Sequence, residues 1–285
     1  MQLSIQKIAV IGAGTMGRGI AYSAAAAGLS VILQDVSESS LDMSKSYLKK
    51  EFDRSVRKEV LTKELAEKRF KEIVFTTELS EAARDRDLVI EAVLEIMELK
   101  TSIFQQLDDL TPDHAILATN TSTMSPTEIA AQTKRPNQCL ALHFFNPVPK
   151  MKLIEVICGL ETSEETISQA MAFGKSIDKE CVRINEFPGF AVSRMNCLIG
   201  NEAMNMVMEG VGSPEDIDKA MKLGLNHPMG PLELADLVGL DTRLRNMQYL
   251  YETLGEKYRP CPILTKYVKA GRLGRKSGRG FYTYD

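Results

Sequence analysis

KIAVIGAGTMGRGIAYSAAAAGLSVILQD, residues 7–35, decides the fold. Lys7–Ile11 is a short apolar run that breaks on glycines, and Ala21–Ala27 is strongly helix-forming. Leu29–Gln34 is a second apolar run, closing on Asp35. Gly12, Ala13, Gly14, Thr15, Met16 and Gly17 fit G-x-G-x-x-G, a pattern too common to mean much alone. Here it follows a strand, opens a helix and heads a β-α-β unit, which is the setting of a dinucleotide-binding turn. Gly12 permits the tight turn, Gly14 lets backbone approach a pyrophosphate, and Gly17 allows close helix–strand packing. The amides at the helix N-terminus then face the phosphates. Asp35 sits where a carboxylate accepts from a ribose 2′-hydroxyl, and its charge would repel a 2′-phosphate, so NAD is expected over NADP. FAD remains a rival ligand for the turn, and a purely structural glycine turn is the plain alternative.

Outward from this unit the alternation continues. A long charged helical region runs from about Glu38 to Lys71, followed by apolar runs at Ile73–Thr76, Leu88–Val93 and Ala115–Thr119. Such a β-α-β series predicts a parallel sheet covered by helices on both faces. Cys139–Phe145 and Leu153–Cys158 are separated by too little chain for a parallel crossover, so they are expected to pair antiparallel. After Cys181–Asn185 the texture turns helical to about Val268. Ser213-Pro214-Glu215-Asp216 is a helix start, with a capping Ser, Pro at the first position and acids in the first turn. The expected architecture is a doubly wound, Rossmann-type α/β domain over residues 1–186, followed by an all-α domain over 187–285. The length of 285 residues agrees, at roughly 150 residues per domain.

Composition narrows the function. Lys and Arg number 35 against 38 Asp and Glu, and that near-balance argues against a nucleic-acid-binding protein. The glycine-interleaved Arg272, Arg275, Lys276 and Arg279 would pass out of context for an RNA-binding tail, but no further RGG repeats support that reading. The longest stretch free of charge, Gly19–Gln34, is shorter than the roughly 20 apolar residues of a membrane span. Glycines and Arg18 spoil a secretory leader at the N-terminus. Five scattered cysteines without a CxxC pair give neither a disulfide framework nor a zinc site, so a reducing, cytoplasmic setting and no metal are expected.

Of three histidines, His114 lies in a turn-like TPDH and His227 precedes a proline, whereas His143 stands inside the apolar run ALHFF. Glu155 likewise stands inside LIEVI. In a hairpin centred on Pro149 the two fall opposite each other, and cross-strand Cβ atoms lie about 5 Å apart. A carboxylate there would fix the imidazole tautomer and stabilise the imidazolium formed when the ring accepts a proton. With an NAD turn in the same chain this points to alcohol oxidation, the cofactor taking the hydride and the ring the proton. A merely structural buried pair is the alternative.

The chain closely resembles the 3-hydroxyacyl-CoA dehydrogenase family, in particular its single-function bacterial 3-hydroxybutyryl-CoA branch. KIAVIGAGTMGRGIA, LVIEAVLE, ATNTST, LHFFNPVPKMKLIEV, FPGFAVSR, NHPMGPLELADLVGLD and GRKSGRGFYTY carry the likeness over nearly its whole length. The resemblance implies that His143 is the base, Glu155 its orienting acid and Ser122 a catalytic donor to the substrate's 3-oxygen near both substrate and cofactor. It implies further that Glu95, Lys100, Asn146 and Lys276 line the NAD site and that Lys58 contacts coenzyme A; Arg54 or Arg57 beside it could meet the same phosphates, although a solvated, salt-bridged helix face is the default reading of this charged stretch. The implied substrates are 3-hydroxybutyryl-CoA and acetoacetyl-CoA, and the implied assembly is a homodimer through the helical domain. Ser193 stands where the family often has Asn, and Glu51 where some members place a coenzyme-A-contacting Ser. Two other functions fit the same fold: a non-catalytic NAD-binding structural protein, and a dehydrogenase of a hydroxy acid lacking coenzyme A.

Overall fold

Apolar runs that end on glycine or an acid become the strands of one sheet. The computed structural model describes residues 5–284, and the chain divides into two compact units, Met1–Glu186 and Phe187–Asp285. In the first unit the elements follow as β1 (Lys7–Ile11), α1 (Thr15–Ala27), β2 (Ser30–Gln34), α2 (Glu38–Arg57), α3 (Lys63–Lys71), β3 (Val74–Thr76) and α4 (Leu79–Ala83). Then come β4 (Leu88–Glu91), α5 (Met97–Leu110), β5 (Ile116–Thr119), α6 (Pro126–Ala130), β6 (Cys139–Phe144), β7 (Leu153–Cys158), α7 (Glu164–Ser176) and β8 (Glu180–Asn185).

The eight strands are ordered β3-β2-β1-β4-β5-β6-β7-β8, every neighbouring pair parallel except β6–β7. Strand order reverses between β1 and β4, the switch point at which open α/β sheets bind ligands beyond the C-terminal strand ends. Alternation along each strand feeds two cores. Ile8, Val10, Leu33 and Ile90 pack on one face, and Ala9, Ile11, Val89 and Leu117 on the other. This is why the strands read as near-continuous apolar runs, as sheets buried on both faces do.

The long charged region is two helices rather than one. Glu59 takes a left-handed φ of 58° just after α2, and Thr62 caps α3 by accepting from the Leu65 amide. Thr62 is the same signal seen at other starts: a short hydroxyl side chain caps freed amides better than it continues a helix. Strand β4 also stops at Glu91, short of Val93.

The second unit is helical: α8 (Val192–Met208), α9 (Pro214–Gly224), α10 (Pro231–Val238), α11 (Leu240–Leu254) and α12 (Pro262–Lys269). Ser213 caps α9 as the sequence predicts, accepting from the Asp216 amide. Asp236 of α10 accepts the Phe281 and Tyr282 amides and the Tyr284 hydroxyl, so the closing aromatic segment folds back onto this unit. Among the described residues no helix is long and apolar enough to cross a membrane.

Candidate active site

The glycine turn has the geometry its spacing predicts. Gly12 takes a φ of +100°, and a Cβ there would lie 2.7 Å from the Ala92 carbonyl oxygen. A Cβ on Gly17 would sit 1.8 Å from the Gly12 oxygen. Gly14 differs: it is exposed, caps α1, and a Cβ would meet nothing within 4 Å. The turn is therefore closed on its inner side and open where a pyrophosphate would approach, so these residues fit a dinucleotide. Asp35 follows β2 and holds the turn, its Oδ2 accepting the Ala13 amide at 2.8 Å and its Oδ1 the Ser37 amide at 2.9 Å. A carboxylate has about four lone-pair sites, so this leaves acceptor capacity for a ribose hydroxyl.

Beyond β4 and β5, Glu95, Lys100 and Ser122 come together. Lys100 Nζ is 3.2 Å from Glu95 Oε2, and Glu95 Oε1 accepts the Ser122 amide at 2.9 Å and the Thr121 hydroxyl. Lys100 is completely buried, and its second partner is Glu91 at 2.8 Å. Burial pushes the Lys100 pKa down, but the carboxylates of Glu91 and Glu95 outweigh it and hold the pKa above the ordinary lysine value.

Strands β6 and β7 pair antiparallel with His143 opposite Glu155, the register expected from the Pro149-centred hairpin. His143 Nδ1 lies 2.7 Å from Glu155 Oε2. Glu155 is fully buried and His143 nearly so, at 6% exposure, with the Phe145 ring 4.4 Å from the imidazole between centroids. Two supports hold this hairpin. Asn120, just past β5, accepts the Phe144 amide at 3.0 Å. Lys179 donates to the carbonyls of Val148 and Met151 at 2.6 and 2.7 Å, and burial lowers its pKa. Asn146 is exposed in the same connection.

The C-terminal edge of β1, β4, β5 and β6 thus carries the glycine turn, Glu95, Ser122, His143 and Asn146. Lys58 stands apart, exposed at the C-terminal cap of α2, and Glu51 of the same helix lies 3.6 Å from Arg54. In the helical unit Ser193 lies in the first turn of α8, and Lys276 makes an ion pair with Asp241 at 2.5 Å. Sequence reasoning passed over Glu91, Lys179 and Asn120. Glu91 was findable, because an acid inside an apolar strand is the signal that marked Glu155. Lys179 and Asn120 lie outside such runs and gave no signal of that kind.

Comparison with known proteins places the whole chain among relatives of one kind. The description "3-hydroxyacyl-CoA dehydrogenase, NAD binding domain" matches residues 7–187, and "3-hydroxyacyl-CoA dehydrogenase, C-terminal domain" matches 189–284. A probable 3-hydroxybutyryl-CoA dehydrogenase of Bacillus subtilis is 50% identical over 284 residues, covering 99% of each chain. The human mitochondrial hydroxyacyl-coenzyme A dehydrogenase is 39% identical over 290 residues, covering 99% of this chain and 92% of that one. The crystal structure of (S)-3-hydroxybutyryl-CoA dehydrogenase from Ralstonia eutropha superposes with a TM-score of 0.94 at 42% identity, covering 99% of this chain and all of that one.

Proposed function

Because the chain belongs to the 3-hydroxyacyl-CoA dehydrogenase family, we propose that it interconverts (S)-3-hydroxyacyl-CoA and 3-oxoacyl-CoA with NAD, short chains such as 3-hydroxybutyryl-CoA being its substrates. The observation that carries the reading is the 2.7 Å contact between His143 Nδ1 and Glu155 Oε2 inside the sheet. A carboxylate facing Nδ1 keeps the hydrogen on that nitrogen, which leaves Nε2 as the basic atom. Nε2 takes the proton of the 3-hydroxyl during oxidation and returns it to the 3-oxygen during reduction, as general base and acid. Glu155 offsets the positive charge that the ring then carries; a buried imidazolium without a partner would cost several kcal/mol. NAD, held on the glycine turn, supplies the hydride chemistry.

Ser122 donates a hydrogen bond to the substrate's 3-oxygen, where charge develops in reduction. Glu95, Lys100 and Asn146 line the nicotinamide end of the cofactor, and Lys276 is a further cofactor contact. Asp35 takes the adenosine ribose and its charge selects NAD over NADP. Lys58 meets the phosphates of coenzyme A. The helical unit carries the contact of a homodimer.

The test mixes the protein with acetoacetyl-CoA and NADH and follows loss of NADH. Turnover is expected with the thioester and NADH, and much less with NADPH. His143→Ala should lower kcat by about a thousandfold while NADH still binds. A variant that keeps its turnover would remove His143 as the base, and free acetoacetate reduced as well as the thioester would remove coenzyme A from the substrate.

A further inference from the structure

From β5 to the Ser122 loop runs a chain of polar contacts with an uneven charge count: two carboxylates, Glu91 and Glu95, share one ammonium, Lys100. The Lys100 Nζ lies 2.8 and 3.1 Å from the two oxygens of Glu91 and 3.2 Å from Glu95 Oε2. Glu91 is fully buried and held from the other side as well. Its Oε1 accepts the Val93 amide at 2.8 Å, and its Oε2 accepts the Thr119 hydroxyl at 2.7 Å. Glu95 is looser, with 29% of its side chain exposed. Its grip on the loop is the Oε1 atom, which takes the Ser122 and Thr121 hydrogens, while the Ser122 hydroxyl lies farther off at 3.4 Å.

A buried ion pair is poor evidence of stability, since removing two charges from water costs about what their attraction returns. Its value here is directional. Strands β4 and β5 fix Glu91, Glu91 fixes the ammonium, and the ammonium holds Oε2 of Glu95. Oε1 is thereby turned onto the Ser122 amide, and the hydroxyl of Ser122 is left with only a long contact to that carboxylate.

We propose that Glu91 is a positioning residue for Ser122, acting through Lys100 and Glu95. Without the Glu91 charge the ammonium shifts wholly to Glu95, and the carboxylate leaves the Ser122 amide. This rests on Ser122 being the donor to the substrate oxygen.

Glu91→Gln keeps the shape and removes the charge. Read at saturating NADH, because Lys100 and Glu95 also line the nicotinamide end of the cofactor, its kcat should fall on the order of tenfold to a hundredfold with KM for acetoacetyl-CoA unchanged. In a Ser122→Ala background the same change should cost nothing more, because residues that act through one another are not additive. Equal losses in both backgrounds overturn the proposal. A readout free of turnover is amide hydrogen exchange at Ser122 in the ligand-free protein, which should quicken in Glu91→Gln; unchanged exchange overturns the proposal too. Should Ser122→Ala alone leave kcat intact, the donor reading of Ser122 falls, and the exchange experiment still decides whether Glu91 positions the loop. Glu91→Asp, which keeps the charge on a shorter arm, should show the same pattern to a smaller degree and covers the case in which the Gln variant does not fold.

Discussion

A methyl group added at Gly14 and one added at Gly17 would meet opposite surroundings. At Gly17 it would overlap the Gly12 oxygen at 1.8 Å, so helix α1 must move off the sheet; at Gly14 it projects into open space. Gly17→Ala should therefore lower the melting temperature by several degrees or prevent folding. Gly14→Ala, whose φ of −67° suits alanine, should melt like the wild type yet bind NADH at least about tenfold more weakly, since its methyl occupies the approach to the turn. Calorimetric titration beside a thermal melt checks both, and unimpaired NADH binding by Gly14→Ala would place the cofactor elsewhere. At this scale His143 and Glu155 were legible because each is a charged group inside an apolar run. The link from Glu91 through Lys100 and Glu95 to Ser122 was not, because it joins strand β4, helix α5 and the segments after β4 and β5, which only the folded sheet brings together.

Elements were legible where punctuation was strong. β1, β2, β6 and β7 came from apolar runs bounded by Gly, Asp and Pro. The division of α2 from α3 escaped because charged residues resume at Lys63 after only Val60, Leu61 and Thr62, and only the capping hydroxyl and one left-handed residue mark the break. In the helical unit one ion pair sets a pH dependence. Burial raises the Asp241 pKa, but the Lys276 ammonium, the Thr242 amide and Arg245 outweigh it and hold the carboxyl below its usual range. A depressed native pKa stabilises the fold above the unfolded value of about 3.9, and that contribution disappears as pH falls through the native value. Lys276→Met should thus cost a few tenths to about 1 kcal/mol near neutrality, the pair being partly exposed, with the difference closing below about pH 4. Urea unfolding across this range checks it; a gap that persists in acid would mean that Lys276 stabilises by packing.

On the scale of the molecule, two sets of apolar side chains clothe opposite faces of one sheet, and a third fills the helical unit. The helical unit also leaves Met195, Val211, Leu223 and Leu225 more than half exposed. Sedimentation should give a species of twice the chain mass; a monomer at micromolar concentration would refute the proposed homodimer. The two-unit division was visible as a change of texture near Pro188-Gly189, because a βα alternation and an all-helical pattern differ in period.

The single antiparallel pairing in the sheet has a consequence for how such a chain can vary. Side chains alternate across a strand, so slipping β7 by a single position against β6 would send the imidazole and its carboxylate to opposite sides. Lys179 grips the intervening bend at Val148 and Met151, which gives an inserted or deleted residue little slack to hide in. The connection between Phe144 and Leu153 is thus fixed in length, and an odd change there would separate His143 from Glu155 while leaving the glycine turn standing.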